Sequence, residues 1–289
     1  VEHSGLEAVF FCNSGLEANE CAIKIARKFG HAKGIEVPNI IVLKHAFHGR
    51  SIATLSATGN PSVRADFSPY TEGFIFVDES DLDGIRKIVE ENKNVVAIFF
   101  EPILGEGGVV PIDLSVIKGI REICDEHDLL MMCDEVQCGM GRSGKWFAHQ
   151  WAEIKPDVIT MAKGLAGGVP VGAVIVSEKA NIFKPGNHGS TFGGNPLAMR
   201  AALETLSIIE DEKLVENALE VGKKLKKALS KSLNGFPGVR GIRGKGLMLG
   251  IVLDRDAHDI LELGLKAGLT FSAVSYTHLR AHETLMNLV

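Results

Sequence analysis

The sequence contains no apolar run approaching the roughly 20 residues that a membrane-spanning helix requires. Its longest apolar stretches, Val95-Val-Ala-Ile-Phe-Phe100 and the segment from Val169 to Val176, stop far short of that. No extended block of lysine and arginine occurs, and the formal net charge is −5. Such a chain has no general attraction to phosphate backbones or anionic lipid, so neither nucleic acid nor membrane is expected as a partner. No Cys-x-x-Cys pair exists among Cys12, Cys21, Cys124, Cys133 and Cys138. Most of them sit in apolar strand or helix patterns, which disfavours metal ligation and points to buried free thiols in a reducing, cytoplasmic setting. No secretory leader is legible at a start that opens on Val1 rather than Met. Internal repeats and low-complexity tracts are lacking too. What is present, 45% apolar and 23% charged residues over 289 positions, is ordinary for a globular protein with one large core and a second, smaller one.

Apolar runs of strand length recur at 9–12, 40–43, 74–77, 95–100, 129–133, 158–161 and 171–176, with helical patterns at 16–29, 82–91 and 114–127 between them. Continuous apolar strands alternating with amphipathic helices predict an α/β fold with a mostly parallel central sheet and helices on both faces. The helix ends carry their own signals. Asn13 or Ser14 can cap the first, Gly30 follows its last apolar residue Phe29, and Asp81 and Asp113 precede the next two. Residues 196–233 read as two long helices, ended by the break from Gly235 to Gly238, and a strand (246–253), a helix (260–267) and a strand (269–273) follow. The expected division is a large domain over 1–207 and part of a smaller α+β C-terminal domain over 208–273. Residues 274–289 resemble the conceptual translation of a sequencing-library adapter and are expected to be a non-native, poorly packed tail, tested by Tyr276, Leu279 and Leu285. The His278-x-x-x-His282 spacing, followed by Glu283, is accordingly not read as a metal site.

Two residues carry the chemical argument. Asp134 ends the run Leu129-Leu-Met-Met-Cys133, Lys163 ends Val158-Ile-Thr-Met-Ala162, and glycines follow each. A carboxylate and an amine at the ends of two buried strands suit pyridoxal 5'-phosphate: the acid keeps a pyridine nitrogen protonated, while the amine binds the aldehyde carbon and later shuttles a proton. Each alone also reads as a turn cap or a solvated charge, so the rest of the chain has to decide.

Further constellations point the same way. Asn13-Ser14-Gly15-Leu16 joins a strand to a helix, whose first backbone N–H groups favour an anion such as phosphate. Phe47-His48-Gly49-Arg50 combines a ring able to stack on a flat heterocycle with a guanidinium able to grip a carboxylate. Glu101-Pro-Ile-Leu-Gly-Glu106-Gly-Gly108 closes a strand with two acids at the edge where open α/β sheets bind ligands, and the glycines beside Glu106 favour it over Glu101. The glycine-dense loop from His188 to Pro196 can approach a phosphate, with Ser190 or Thr191 donating. The run Gly139-Met-Gly-Arg-Ser-Gly-Lys145 imitates two nucleotide-binding motifs. Trp146 stands where a hydrolase loop needs a hydroxyl, and Asp157 precedes the next strand instead of ending it, so neither reading survives.

In order, Asn-Ser-Gly, Phe-His-Gly-Arg, Glu-Pro-Ile-x-Gly-Glu-Gly-Gly, Asp-Glu-Val-Gln, Ala-Lys-Gly and Gly-Ser-Thr-Phe-Gly-Gly-Asn-Pro resemble the class III aminotransferases of fold type I from about Leu6 to Ala273. The resemblance implies that Lys163 binds the cofactor aldehyde and Asp134 pairs with the ring nitrogen. It implies that Val136 and Gln137 lie against the ring and near its phenolic oxygen, that Phe47 stacks on the other face, and that Glu135 belongs to the same cofactor-binding run. Gly15 and Leu16 hold the phosphate with help from Thr191 of a neighbouring copy, Arg50 and Ser190 contact substrate, and Glu106 acts as a gate toward a C-terminal arginine. The active unit is then a homodimer. The implied reaction moves the terminal amino group of an ornithine-like amine to 2-oxoglutarate. N-acetylornithine, ornithine, 4-aminobutyrate, succinyl-diaminopimelate and carrier-bound lysine all present such an amine, and an aminomutase or racemase can use the same scaffold. Two departures stand out: Leu104 occupies a position where the family usually has Gln, and Leu16 replaces a smaller residue. The family's N-terminal segment and its C-terminal arginine are expected to lie outside this chain.

Overall fold

A computed structural model gives the structure of the chain and describes residues 1–274, apart from the side chain at 259, and the backbone of 278–281. The central sheet begins with β1 (Ala8–Cys12), β2 (Asn39–Leu43), β3 (Phe74–Val77) and β4 (Val95–Phe100). A short hairpin of β5 (Ile103–Leu104) and β6 (Val110–Pro111) intervenes before β7 (Leu130–Asp134), β8 (Val158–Met161) and β9 (Gly172–Val176) complete it. The order is β1-β9-β8-β7-β4-β2-β3. Pairings from β3 through β8 are parallel, and β9 is antiparallel to both of its neighbours. The expected mostly parallel α/β sheet is what forms.

The period of two along each strand divides the core between the sheet's faces. Ile40, Val42, Ala97, Phe99 and Met132 join one cluster with helix α1 (Gly15–Ala32). Ile41, Leu43, Ile98, Phe100 and Met131 join the other, with α4 (Leu82–Glu91) and α5 (Leu114–Glu126). Between β2 and β3 run the short helices α2 (Ile52–Ala57) and α3 (Pro61–Arg64). Helix starts follow their caps: Ser14 accepts from the Glu17 N–H, Asp81 from Gly84 and Asp113 from Ser115. Gly30 does not end α1, which continues to Ala32. A Cβ there would stand 2.7 Å from Val96 and 2.8 Å from Pro38, so this glycine serves close packing, not termination.

After β9 come α6 (Pro196–Asp211), started by Asn195 and Pro196, and α7 (Leu214–Leu233). The division expected near residue 208 falls in the last turn of α6. A four-stranded antiparallel sheet follows, built from β10 (Val239–Lys245), β11 (Met248–Leu253), β12 (Phe271–Val274) and β13 (His278–Ala281), with α8 (His258–Lys266) preceding β12. β10 escapes a pattern-based reading because its arginines and glycines resemble a loop, and pairing with β11 makes it a strand. The backbone of β13, inside the segment expected to be a non-native tail, pairs with both β11 and β12. Tyr276, His282, Glu283 and Leu285, together with the side chain of Leu279, lie outside the described residues.

Candidate active site

The parallel strands β2, β4, β7 and β8 end at one edge of the sheet, and β1 delivers the start of α1 to the same edge. The segments that follow them enclose a cavity of about 440 Å³, a size suited to a small molecule. Asp134, Lys163, Glu101, Phe47 and Arg50 line it, as do Gly15, Leu16, Val136 and Gln137. The two residues on which the sequence argument turned therefore face one space.

Asp134 is the last residue of β7 and is 3% exposed. Its Oδ2 accepts hydrogen bonds from His48 Nδ1 and Asn19 Nδ2, both at 2.8 Å, and its Oδ1 accepts from the Val136 N–H at 3.0 Å. His48 is buried and stacks on Phe99, with ring centroids 4.1 Å apart. Donation through Nδ1 fixes its tautomer, and its Nε2 has no hydrogen-bond partner. Three donors thus hold one carboxylate rigidly against the cavity. Neither His48 nor Asn19 stood out in the sequence. The signal for His48 was its place beside Phe47 in the Phe-His-Gly-Arg motif; Asn19, in the middle of α1, offered none.

Lys163 opens a short helical turn after β8 with φ of +43°. That left-handed conformation is costly for a non-glycine residue, and such strain clusters at functional sites. Lys163 also borders a second cavity of about 240 Å³ toward α6 and α7. Glu101, rated below Glu106 on sequence, is 2% exposed at the end of β4. Burial, then the neighbouring Asp134, push it up to about 8, while the Phe47 and Gly105 N–H groups and Lys163 pull the other way. Its signal was the uninterrupted apolar strand before it, which delivers the next residue to a buried edge.

The start of α1 brings free backbone donors to the same cavity. Gly15 and Leu16 are its first residues, where N–H groups have no intrahelical acceptor. A Cβ on Gly15 would stand 2.7 Å from Val136, so only glycine leaves this wall its shape. Glu17 turns back to accept from the N–H of Asn13 and from its side chain, and Asn13 also donates to Ser190 Oγ at 3.0 Å. Arg50 lies 5.8 Å from the ring centre of Phe47.

Other expected residues stand further off. Glu106 accepts from Gln137 Nε2 at 3.3 Å but does not line the cavity. Thr191 is exposed and also absent from the wall. Glu135 does not line the cavity: its buried carboxylate accepts from the N–H groups of Ala148 and His149, from His149 Nδ1 and from the Cys138 thiol. It follows Asp134 directly, and successive side chains at a strand end diverge, so one faces the cavity and the other the interior. Leu104 is fully buried in the α4/α5 core. All five cysteines are free and buried. Burial pushes Cys124 up to about 12 and Cys12 to about 11, which leaves little reactive thiolate.

A buried acid, an amine, unpaired N–H groups at a helix start and the Phe47 ring around one small-molecule cavity form a donor set that fits pyridoxal phosphate. The chain belongs to the class III aminotransferases, whose family model matches residues 1–287. Enzymes of this class depend on pyridoxal phosphate. The chain is 50% identical over 273 residues to the acetylornithine aminotransferase of Nitrosomonas europaea, covering 94% of this chain and 70% of that protein. It is also 50% identical to acetylornithine aminotransferase 1 of Bordetella bronchiseptica, covering 93% and 68% respectively. Among solved structures, the ornithine aminotransferase of Toxoplasma gondii superposes with a TM-score of 0.94 at 33% identity, over 100% of this chain and 70% of that one. The acetylornithine aminotransferase of Elizabethkingia anophelis gives 0.86 at 33%, over 98% and 71%. A further structure of the Toxoplasma enzyme carries PLP at partial occupancy in its active site.

Proposed function

We propose that this aminotransferase moves the terminal amino group of N-acetylornithine to 2-oxoglutarate, a step of arginine biosynthesis. The observation that carries the reading is the meeting of Asp134 and Lys163 on one cavity in a chain half identical to two acetylornithine aminotransferases. Pyridoxal phosphate, when bound, supplies an aldehyde carbon to receive the amine and a ring to accept electrons. Asp134, held in place by its three donors, would pair with the ring nitrogen and keep a proton there. The Lys163 amine anchors the cofactor and then moves a proton at the substrate carbon, general acid–base work typically contributing about 10²–10⁴-fold. The N–H groups of Gly15 and Leu16 would hold the phosphate, and Phe47, Val136 and Gln137, which line the same cavity, would hold the ring. Arg50 grips a substrate carboxylate, Ser190 adds a contact at the mouth, and Glu106 gates the site. Thr191, exposed in one copy, completes the phosphate site of the partner in a homodimer. Phe192, Leu197 and Leu203, all more than half exposed, supply apolar surface for that contact.

Ornithine itself is the second reading, favoured by the name of the Toxoplasma structure. Its 33% identity, against 50% for the acetylornithine enzymes, argues for the acylated amine. Half-reactions separate these readings: each amine is mixed with the loaded enzyme and the change in cofactor absorbance is followed. N-acetylornithine is expected to react with the higher kcat/KM, and preference for free ornithine would refute the assignment. An aminomutase or racemase, unlike this enzyme, needs no added keto acid. Lys163→Ala is expected to lose turnover entirely, and a near wild-type rate in that variant would end the aminotransferase mechanism.

A further inference from the structure

Glu101 belongs to none of the roles above, yet both of its oxygens are engaged. Oε2 accepts the Phe47 N–H at 2.9 Å and Oε1 accepts the Gly105 N–H at 3.0 Å. These donors lie on separate loops. One follows β2 and carries Phe47, His48 and Arg50; the other follows β4 and carries Glu106. The loops touch elsewhere, since a Cβ on Gly107 would stand 2.7 Å from the carbonyl oxygen of His45. Gly105 in turn abuts Gln137, where a Cβ would meet the side-chain amide at 1.9 Å. We propose that Glu101 is a positioning residue, a buried clamp that holds the ring-stacking loop and the Glu106 turn in fixed register across the cavity.

The chemistry requires a carboxyl group. A carboxyl oxygen keeps a lone pair for an N–H donor whether or not the group carries its proton, whereas the amide nitrogen of glutamine has none to offer and puts an N–H₂ against one of the two donors. Two backbone N–H donors and Lys163 favour the charged form, while Asp134 and burial oppose it. The clamp therefore stands on geometry, each oxygen accepting from its own N–H donor. Its consequence for catalysis rests on the aminotransferase reading, whereas its existence does not.

Amide hydrogen exchange on the whole cofactor-free chain tests the clamp directly. In the wild type, the Phe47 and Gly105 amides are expected to be protected together. In Glu101→Gln, at least one exchanges about tenfold faster, the factor one such hydrogen bond is worth, while Ile98 and Phe99 in β4 are unchanged. Pyridoxal phosphate titration supplies the positioning readout. Glu101→Gln raises the dissociation constant about tenfold, and this effect largely disappears in a Phe47→Leu background, because the clamp acts through that ring. Unprotected Phe47 and Gly105 amides in the wild type overturn the proposal, as do additive effects of the two substitutions. Should Glu101→Gln fail to fold, Glu101→Asp and the wild-type exchange pattern decide. Protected amides in a wild type that binds no pyridoxal phosphate would leave the clamp standing and refute the function instead.

Discussion

Replacing His48 with Phe tests how the central carboxylate is held. The phenyl ring retains most of the volume and the stack on Phe99, whose ring centre lies 4.1 Å from that of His48. What it removes is the 2.8 Å hydrogen bond to Asp134 Oδ2. A hydrogen bond to a charged group is worth about 1.5–3 kcal/mol, and the lower half of that range is expected because Asn19 still donates to the same oxygen. Asn19→Leu should cost a similar amount, and somewhat more if its bond to the His48 carbonyl at 2.7 Å is counted. In the double variant Oδ2 loses both donors while Asp134 stays buried. The combined cost should then exceed the sum of the singles by about 1 kcal/mol or more, since only the second loss leaves the buried Oδ2 without a donor. Urea denaturation of the cofactor-free chain, carried through all four members of the cycle at one pH, measures this. A single-variant loss below about 0.5 kcal/mol, or strict additivity, would refute the view that these donors act on Asp134 as a unit.

Titration of Glu101 predicts a pH signature. It is pushed up to about 8 from an ordinary value of 4.5, so the folded chain keeps a proton that the unfolded chain has lost. The stability it contributes is full below 4.5 and is lost as pH rises through about 8. The wild type should therefore lose stability relative to Glu101→Gln across that window, and a constant difference between their urea midpoints would contradict the assignment. Gly172→Ala puts a Cβ 2.3 Å from the carbonyl oxygen of Ser14, the cap of α1. A loss of about 1–3 kcal/mol in thermal melts is expected, with weaker pyridoxal phosphate binding at the helix start. Gly241→Ala, whose Cβ meets nothing within 4 Å, serves as its neutral control, and equal effects of the two substitutions would count against the packing argument.

The sequence by itself determined the sheet's composition and the placing of Asp134 and Lys163 at the ends of two of its strands. Apolar runs too continuous for a half-exposed strand required cover on both faces, and the residues ending two of those runs, Asp134 and Lys163, had to emerge at the sheet's edge. Side-chain caps fixed where α1, α4 and α5 begin, because a helix start leaves N–H groups that Ser14, Asp81 and Asp113 can satisfy locally. Tertiary structure decided everything that depends on residues distant in the chain. His48 and Asn19 stand 86 and 115 positions from the carboxylate they share, and nothing in either local pattern encodes that meeting. Between Glu101 and Glu106, two acids in one glycine-rich run, the sequence favoured Glu106. Only the fold buried the first between two loops and left the second half-buried beside Gln137. Glu135 adjoins Asp134 in sequence yet serves the interior, and Gly30 resembles a helix end yet fills a tight contact. Local propensity acts over a few residues, whereas burial and shared hydrogen bonds are settled only when separate strands bring their ends to one edge.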